Sequence, residues 1–172
     1  LLFAVCAAAL LVLAGILYWR GYRQAYPYGP RPAALPIIVN ALRAYAADHH
    51  QSFPNTNWDP YQSLEVLYPN YISGKYLAGL SRDPSRTELA LRNGEHLAPE
   101  NCSLVYFPGL FATDDQRIAV VWESQTGIAF NGRSHPGRAV GLISSEVKQV
   151  SDAEWERFLS SQASLRQSAL HS

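Results

Sequence analysis

The first 19 residues, "LLFAVCAAALLVLAGILYW", hold no charge and no proline, and no other stretch limits the fold as strongly. As a helix rising 1.5 Å per residue the run measures about 28 Å, close to the roughly 30 Å of a bilayer core. Residues 1–20 are therefore expected to form a single transmembrane helix ending near Arg20. Tyr18, Trp19, Arg20, Tyr22 and Arg23 follow, the mixture of aromatic and cationic side chains that settles at a membrane interface. A cleaved secretory signal has a shorter apolar core and a small-residue cleavage site, whereas aromatics follow here. The chain contains no methionine, so Leu1 reads as a product of processing or trimming. Within the run, Ala4, Ala8 and Gly15 share a small-residue face on which a neighbouring helix can approach closely, a candidate docking face.

Behind this segment, Pro27, Pro30, Pro32 and Pro36 forbid continuous helix, so residues 21–36 read as an interfacial, fairly stiff connector and residues 37–172 as one domain. From Pro36 the period becomes helical, with Ile38, Leu42 and Tyr45 on one face as far as about His50. Asp59, Pro60 and Gln62 give an N-cap, a first-turn proline and a capping-box glutamine, opening a short helix through Leu67. The polar, turn-rich "SRDPSRTELALRNGEHLAPEN" is expected to be a surface loop with at most a short element around Leu89–Leu91. In the second half, "SLVYF", "RIAVVW", "TGIAF" and "AVGLI" read as strands of an antiparallel meander, with "EVKQV" adding another. Ser151 and Glu154 form a capping box ahead of Trp155, Phe158 and Leu159, so a closing helix follows and frays toward the end. The fold class expected is α+β.

Little in the chain points to chemistry. With 14 basic and 14 acidic residues there is no net field to hold a polyanion, which argues against nucleic acid as a partner. Asp48, His49 and His50 are consecutive, so on a helix they point about 100° apart and do not converge on one ion; the end of a helix is itself a favoured place for histidine. "GRSHPG" sets Ser134 beside His135 but is not G-x-S-x-G, and adjacent residues do not give nucleophile-to-base geometry. No phosphate-binding loop, dinucleotide fingerprint, H-E-x-x-H or paired C-x-x-C occurs. Cys6 and Cys102 are placed too far apart to form a disulfide, and Asn101–Ser103 is a glycosylation sequon, a pattern common by chance. No catalytic, cofactor-binding or metal residue is therefore expected, and no small-molecule substrate.

The succession of an apolar amino-terminal helix, "ALRAYAADHHQSFP", "SLEVLYPNYIS", "LSRDPSR" and "SLVYFPGL" resembles the pilin-like proteins of bacteria, in particular the pseudopilin-type group with a carboxy-terminal H-X9-DG signature. The resemblance runs over about Ile37 to Phe158. It implies a helix packed on a small antiparallel sheet, anchored in the bacterial inner membrane with the domain in the periplasm. The arginines after the apolar run would by charge alone favour the cytoplasm for that side. The chain also departs from the group. His135 stands at the signature histidine, but Ser145 and Glu146 replace the aspartate and glycine, and Val5 replaces the glutamate of polymerising pilins. The proline-rich connector breaks the long pilin helix. The expectation is thus a non-catalytic, single-pass structural subunit, embedded in the lipid bilayer, that docks onto and braces a larger complex of integral-membrane subunits. The alternative is a minor pilin or pseudopilin of a type II secretion or type IV pilus machine.

Overall fold

The computed structural model describes residues 2–27, 29, 34–129 and 131–170, with the side chains of 2–9 and 170 outside that description. Helix α1 (Leu2–Ala25) passes the expected end at Arg20 by more than a turn. It closes through Tyr26, whose N–H donates to the Tyr22 carbonyl at 2.9 Å, ahead of Pro27. The expected single-pass span, and with it the inner-membrane location and periplasmic domain, is overturned: among the described residues no helix is long and apolar enough to cross a membrane. Within the part of α1 whose side chains are described, the apolar run extends from Leu10 to Trp19 before Arg20, Arg23 and Gln24 interrupt it.

Helix α2 (Ala34–Asp48) buries Leu35, Ile38, Val39 and Leu42, the face marked out by the apolar spacing. Pro36 falls in its first turn, where no intrahelical N–H is required. This face lies on a four-stranded antiparallel sheet in sequential order: β1 (Leu104–Tyr106), β2 (Ala119–Glu123), β3 (Arg138–Leu142) and β4 (Val147–Val150). Alternation along β3 sends Ala139 and Gly141 toward α2 and Arg138, Val140 and Leu142 to the opposite face. Gly141 is where helix and sheet approach most tightly: a Cβ there would stand 2.5 Å from Val39 Cγ2 and 3.1 Å from Val121 Cγ1.

The opposite face is covered by α6 (Trp155–Leu170), whose Trp155, Phe158 and Leu159 pack on Ala119, Val140, Leu142 and Val150. The Ser151 hydroxyl donates to Glu154 at 2.6 Å just before the helix begins. A bulge between Ala119 and Val121 shifts the β2–β3 register, and α6 takes up the backbone of Ala119 there. The Ala119 N–H donates to Gln162 Oε1 at 2.7 Å, and its carbonyl accepts from Arg166 Nη2 at 2.9 Å. The Arg166 guanidinium lies 4.2 Å from the Phe107 ring and 4.9 Å from that of Trp122, and burial lowers it to about 10. The sheet is thus held between α2 and α6.

Three short helices complete the domain: α3 (Pro60–Glu65), α4 (Gly74–Leu77) and α5 (Pro84–Arg92). α3 opens as its cap signals indicate, with Asp59 accepting from the backbone N–H of Tyr61 and Gln62. α5 replaces the expected loop. Asp83 accepts from the Ser85 N–H and Pro84 occupies the first turn, the same device as at Asp59–Pro60. Of "TGIAF", the described residues 126–129 form isolated bridges at Ile128 and not a strand. Here the chain folds back locally, with Gly127 N–H donating to the Gly137 carbonyl and Ala129 N–H to the Arg133 carbonyl. α6 continues to Leu170, and its anchors on Ala119 account for the order where fraying was expected.

Candidate functional site

What stands apart from this core is α1. Leu10, Leu11, Val12, Leu13, Ile16, Leu17, Tyr18 and Trp19 are each 50% to 74% exposed. At 100° per residue they surround the helix, so its apolar surface is not one stripe awaiting the domain. The base is held to the domain by the Ser134 N–H, which donates to the Ala25 carbonyl at 2.6 Å, so the "GRSHPG" loop serves as a footing for α1.

Two faces differ in chemistry. Tyr18, Leu11, Tyr22, Tyr26 and Trp19 fall within about 100° of one another on a helical wheel, while Leu13, Ile16, Leu17, Arg20 and Arg23 span about 120° on the other side. On the first face the rings form a ladder: Tyr18 to Tyr22 at 6.4 Å, Trp19 to Tyr22 at 6.1 Å and Tyr22 to Tyr26 at 5.4 Å between centroids. Arg23 places its guanidinium 5.6 Å from the Trp19 ring. An open cleft of about 610 Å³ lies at this level, lined by Trp19, Tyr22, Arg23, Tyr26, Pro27 and Gly29.

Of the expected docking residues, Ala4 and Ala8 lie outside the described side chains. Gly15 stands on the aromatic side with nothing within 4 Å of its would-be Cβ. Tyr18, Trp19, Arg20 and Arg23 are exposed and Tyr22 is half-buried. The aromatic ladder was readable from the i, i+4 spacing, but a helix left uncovered on all sides was not, because coverage is a property of the whole packing.

The polar groups singled out in the sequence go separate ways. Asp48 accepts a 3.0 Å hydrogen bond from the Tyr71 hydroxyl, and His49 stacks on Tyr45 at 3.8 Å while its Nδ1 donates to the Tyr45 carbonyl. His50 adopts a left-handed φ of 54° as the chain leaves α2. His135 Nδ1 donates to the Pro136 carbonyl at 2.9 Å. Among the described residues no group of three or more His, Cys, Asp or Glu side chains is arranged to hold a metal ion.

One polar cluster went unnoticed in the sequence because its members are far apart along the chain. Glu123 is fully buried and accepts from the Leu80 N–H at 2.7 Å and the Ser103 hydroxyl at 2.8 Å, tying the 78–81 segment to β2. Burial pushes the adjacent Cys102 thiol up to about 12, with Glu123 adding to the rise. A thiol so held is a poor nucleophile. No family model, curated protein or solved structure matches the chain.

Proposed function

We propose that the protein is a non-catalytic structural subunit that docks onto a larger protein complex through α1, with the α+β domain bracing the surface beside it. The observation that carries this reading is the exposure of six aliphatic side chains, Leu10 to Leu13, Ile16 and Leu17, on a helix whose base is hydrogen-bonded to the domain. Burying each contributes about 1.5–3 kcal/mol, on the order of 10 kcal/mol together, comparable with the roughly 4–15 kcal/mol that association costs in lost freedom. A helix apolar on all sides is normally buried.

The test is to isolate the full-length chain under mild conditions and fractionate it by size. Wild type is expected to migrate at fixed stoichiometry with a larger assembly, and Leu13→Asp with Leu17→Asp to leave that assembly while keeping its thermal transition. Wild type migrating alone throughout would overturn the reading. A second reading, a minor pilin or pseudopilin of a type II secretion or type IV pilus machine, is favoured by one observation: an apolar helix leads into a helix laid across an antiparallel sheet. Recovery of the chain in sheared filaments would select it.

A further inference from the structure

We infer that the partner seated on α1 is a different protein, offering an apolar helical surface that carries two carboxylates about one helical turn apart, opposite Arg20 and Arg23. This rests on the docking reading above and specifies its partner. The face formed by Leu13, Ile16 and Leu17 continues directly into Arg20 and Arg23. A surface that covers the aliphatic part and continues by one to two turns reaches the two arginines, which lie about 6–10 Å along the axis beyond Ile16 at 1.5 Å per residue. Covering them withdraws two charges from water, which is costly unless each is paired.

The chain itself does not supply the pairing. Among the described residues neither arginine has a carboxylate within 4.0 Å, and the first acidic residue in the sequence is Asp48, which is occupied by Tyr71. Arg23 instead lies over Trp19. Charge likewise disfavours a second copy as the occupant. Parallel copies of α1 would set arginine against arginine, and antiparallel copies would set each arginine against aliphatic side chains, since residues 1–47 contain Arg20, Arg23, Arg31 and Arg43 and no acid. A carboxylate pair spaced by about one turn matches the rise of about 4.5 Å between positions 20 and 23.

The experiment uses the full chain in its isolated assembly. Arg20→Lys with Arg23→Lys keeps both charges and introduces primary amines, which a water-soluble carbodiimide joins directly to contacting carboxylates. Peptide mapping is expected to find cross-links from positions 20 and 23 to Asp or Glu within an apolar segment of another protein. In parallel, Arg20→Glu with Arg23→Glu is expected to lower recovery of the assembly at least about tenfold. Cross-links to Asp48 or later acids of a second copy would overturn the inference. So would full recovery of the assembly with both arginines reversed, or transfer of the wild-type chain to anionic phospholipid vesicles in place of a protein. If Leu13→Asp with Leu17→Asp leaves the assembly intact, the docking reading itself fails. Release by that pair but not by the arginine reversal defeats only the acidic partner.

Discussion

Cys102 shows how burial decides the behaviour of a residue whose type suggests reactivity. It is almost wholly enclosed, and its thiol is pushed up to about 12 chiefly by burial. The thiolate fraction near neutral pH is then on the order of a thousandfold below that of an ordinary cysteine. In the native protein at pH 8, iodoacetamide should leave the Cys102 peptide unmodified over a time that labels it fully in guanidinium chloride. Comparable labelling in both conditions would mean that the 98–104 segment opens readily. At the same scale, Asp48, His49 and His50 were legible as the end of a helix, because consecutive positions diverge. The Glu123–Ser103–Leu80 cluster was not legible, since its partners meet only once β1 and β2 pair.

Among the elements, α2 was visible from its apolar period and α3 from Asp59–Pro60. α5 carries the equivalent Asp83–Pro84 signal but has few buried positions, Thr87, Ala90 and Leu91, so its composition reads as loop. "TGIAF" alternates like a strand, yet Ile128 makes only isolated bridges, to Ser134 and to Arg138 at the start of β3, and no ladder extends from them. The bulge at Ala119 has no signature in the residues, so the tasks of Gln162 and Arg166 were equally hidden. The contact of α2 with β3 gives the element-scale prediction. Gly141→Ala places a methyl 2.5 Å from Val39 Cγ2 and should cost about 1–3 kcal/mol of stability, read from the urea midpoint. Val39→Ala in the same chain should recover part of that loss, giving favourable coupling between the two sites. A neutral Gly141→Ala would mean that helix and sheet separate freely.

For the molecule as a whole, acid should be destabilising. The Arg117 guanidinium holds Asp115 down at about 2. Burial raises Glu88, but the Ser73 hydroxyl, the Lys75 N–H and Arg92 outweigh it and lower the carboxyl, while Ser151 lowers Glu154. Carboxylates depressed in the folded state contribute stability that is fully present above their unfolded values near 4 and lost as pH falls through the folded ones. The thermal midpoint should therefore be level above about pH 5 and fall progressively toward pH 2. A midpoint that rises on acidification would contradict these pairings. That α1 leaves the domain beyond its base belongs to this scale too, and explains why an apolar run taken alone suggested a span: hydropathy reports the wish to leave water, not the surface that receives it.

The closure of the sheet by α6 has a consequence for the order in which the chain is made. Trp155, Phe158 and Leu159 cover one whole side of β2–β4, and Gln162 and Arg166 take up the backbone of Ala119. α6 follows β2, β3 and β4 along the chain, so in vectorial synthesis the strands are joined before the helix that covers them. Until α6 is made the outer side of the meander waits uncovered, and the sheet is closed last.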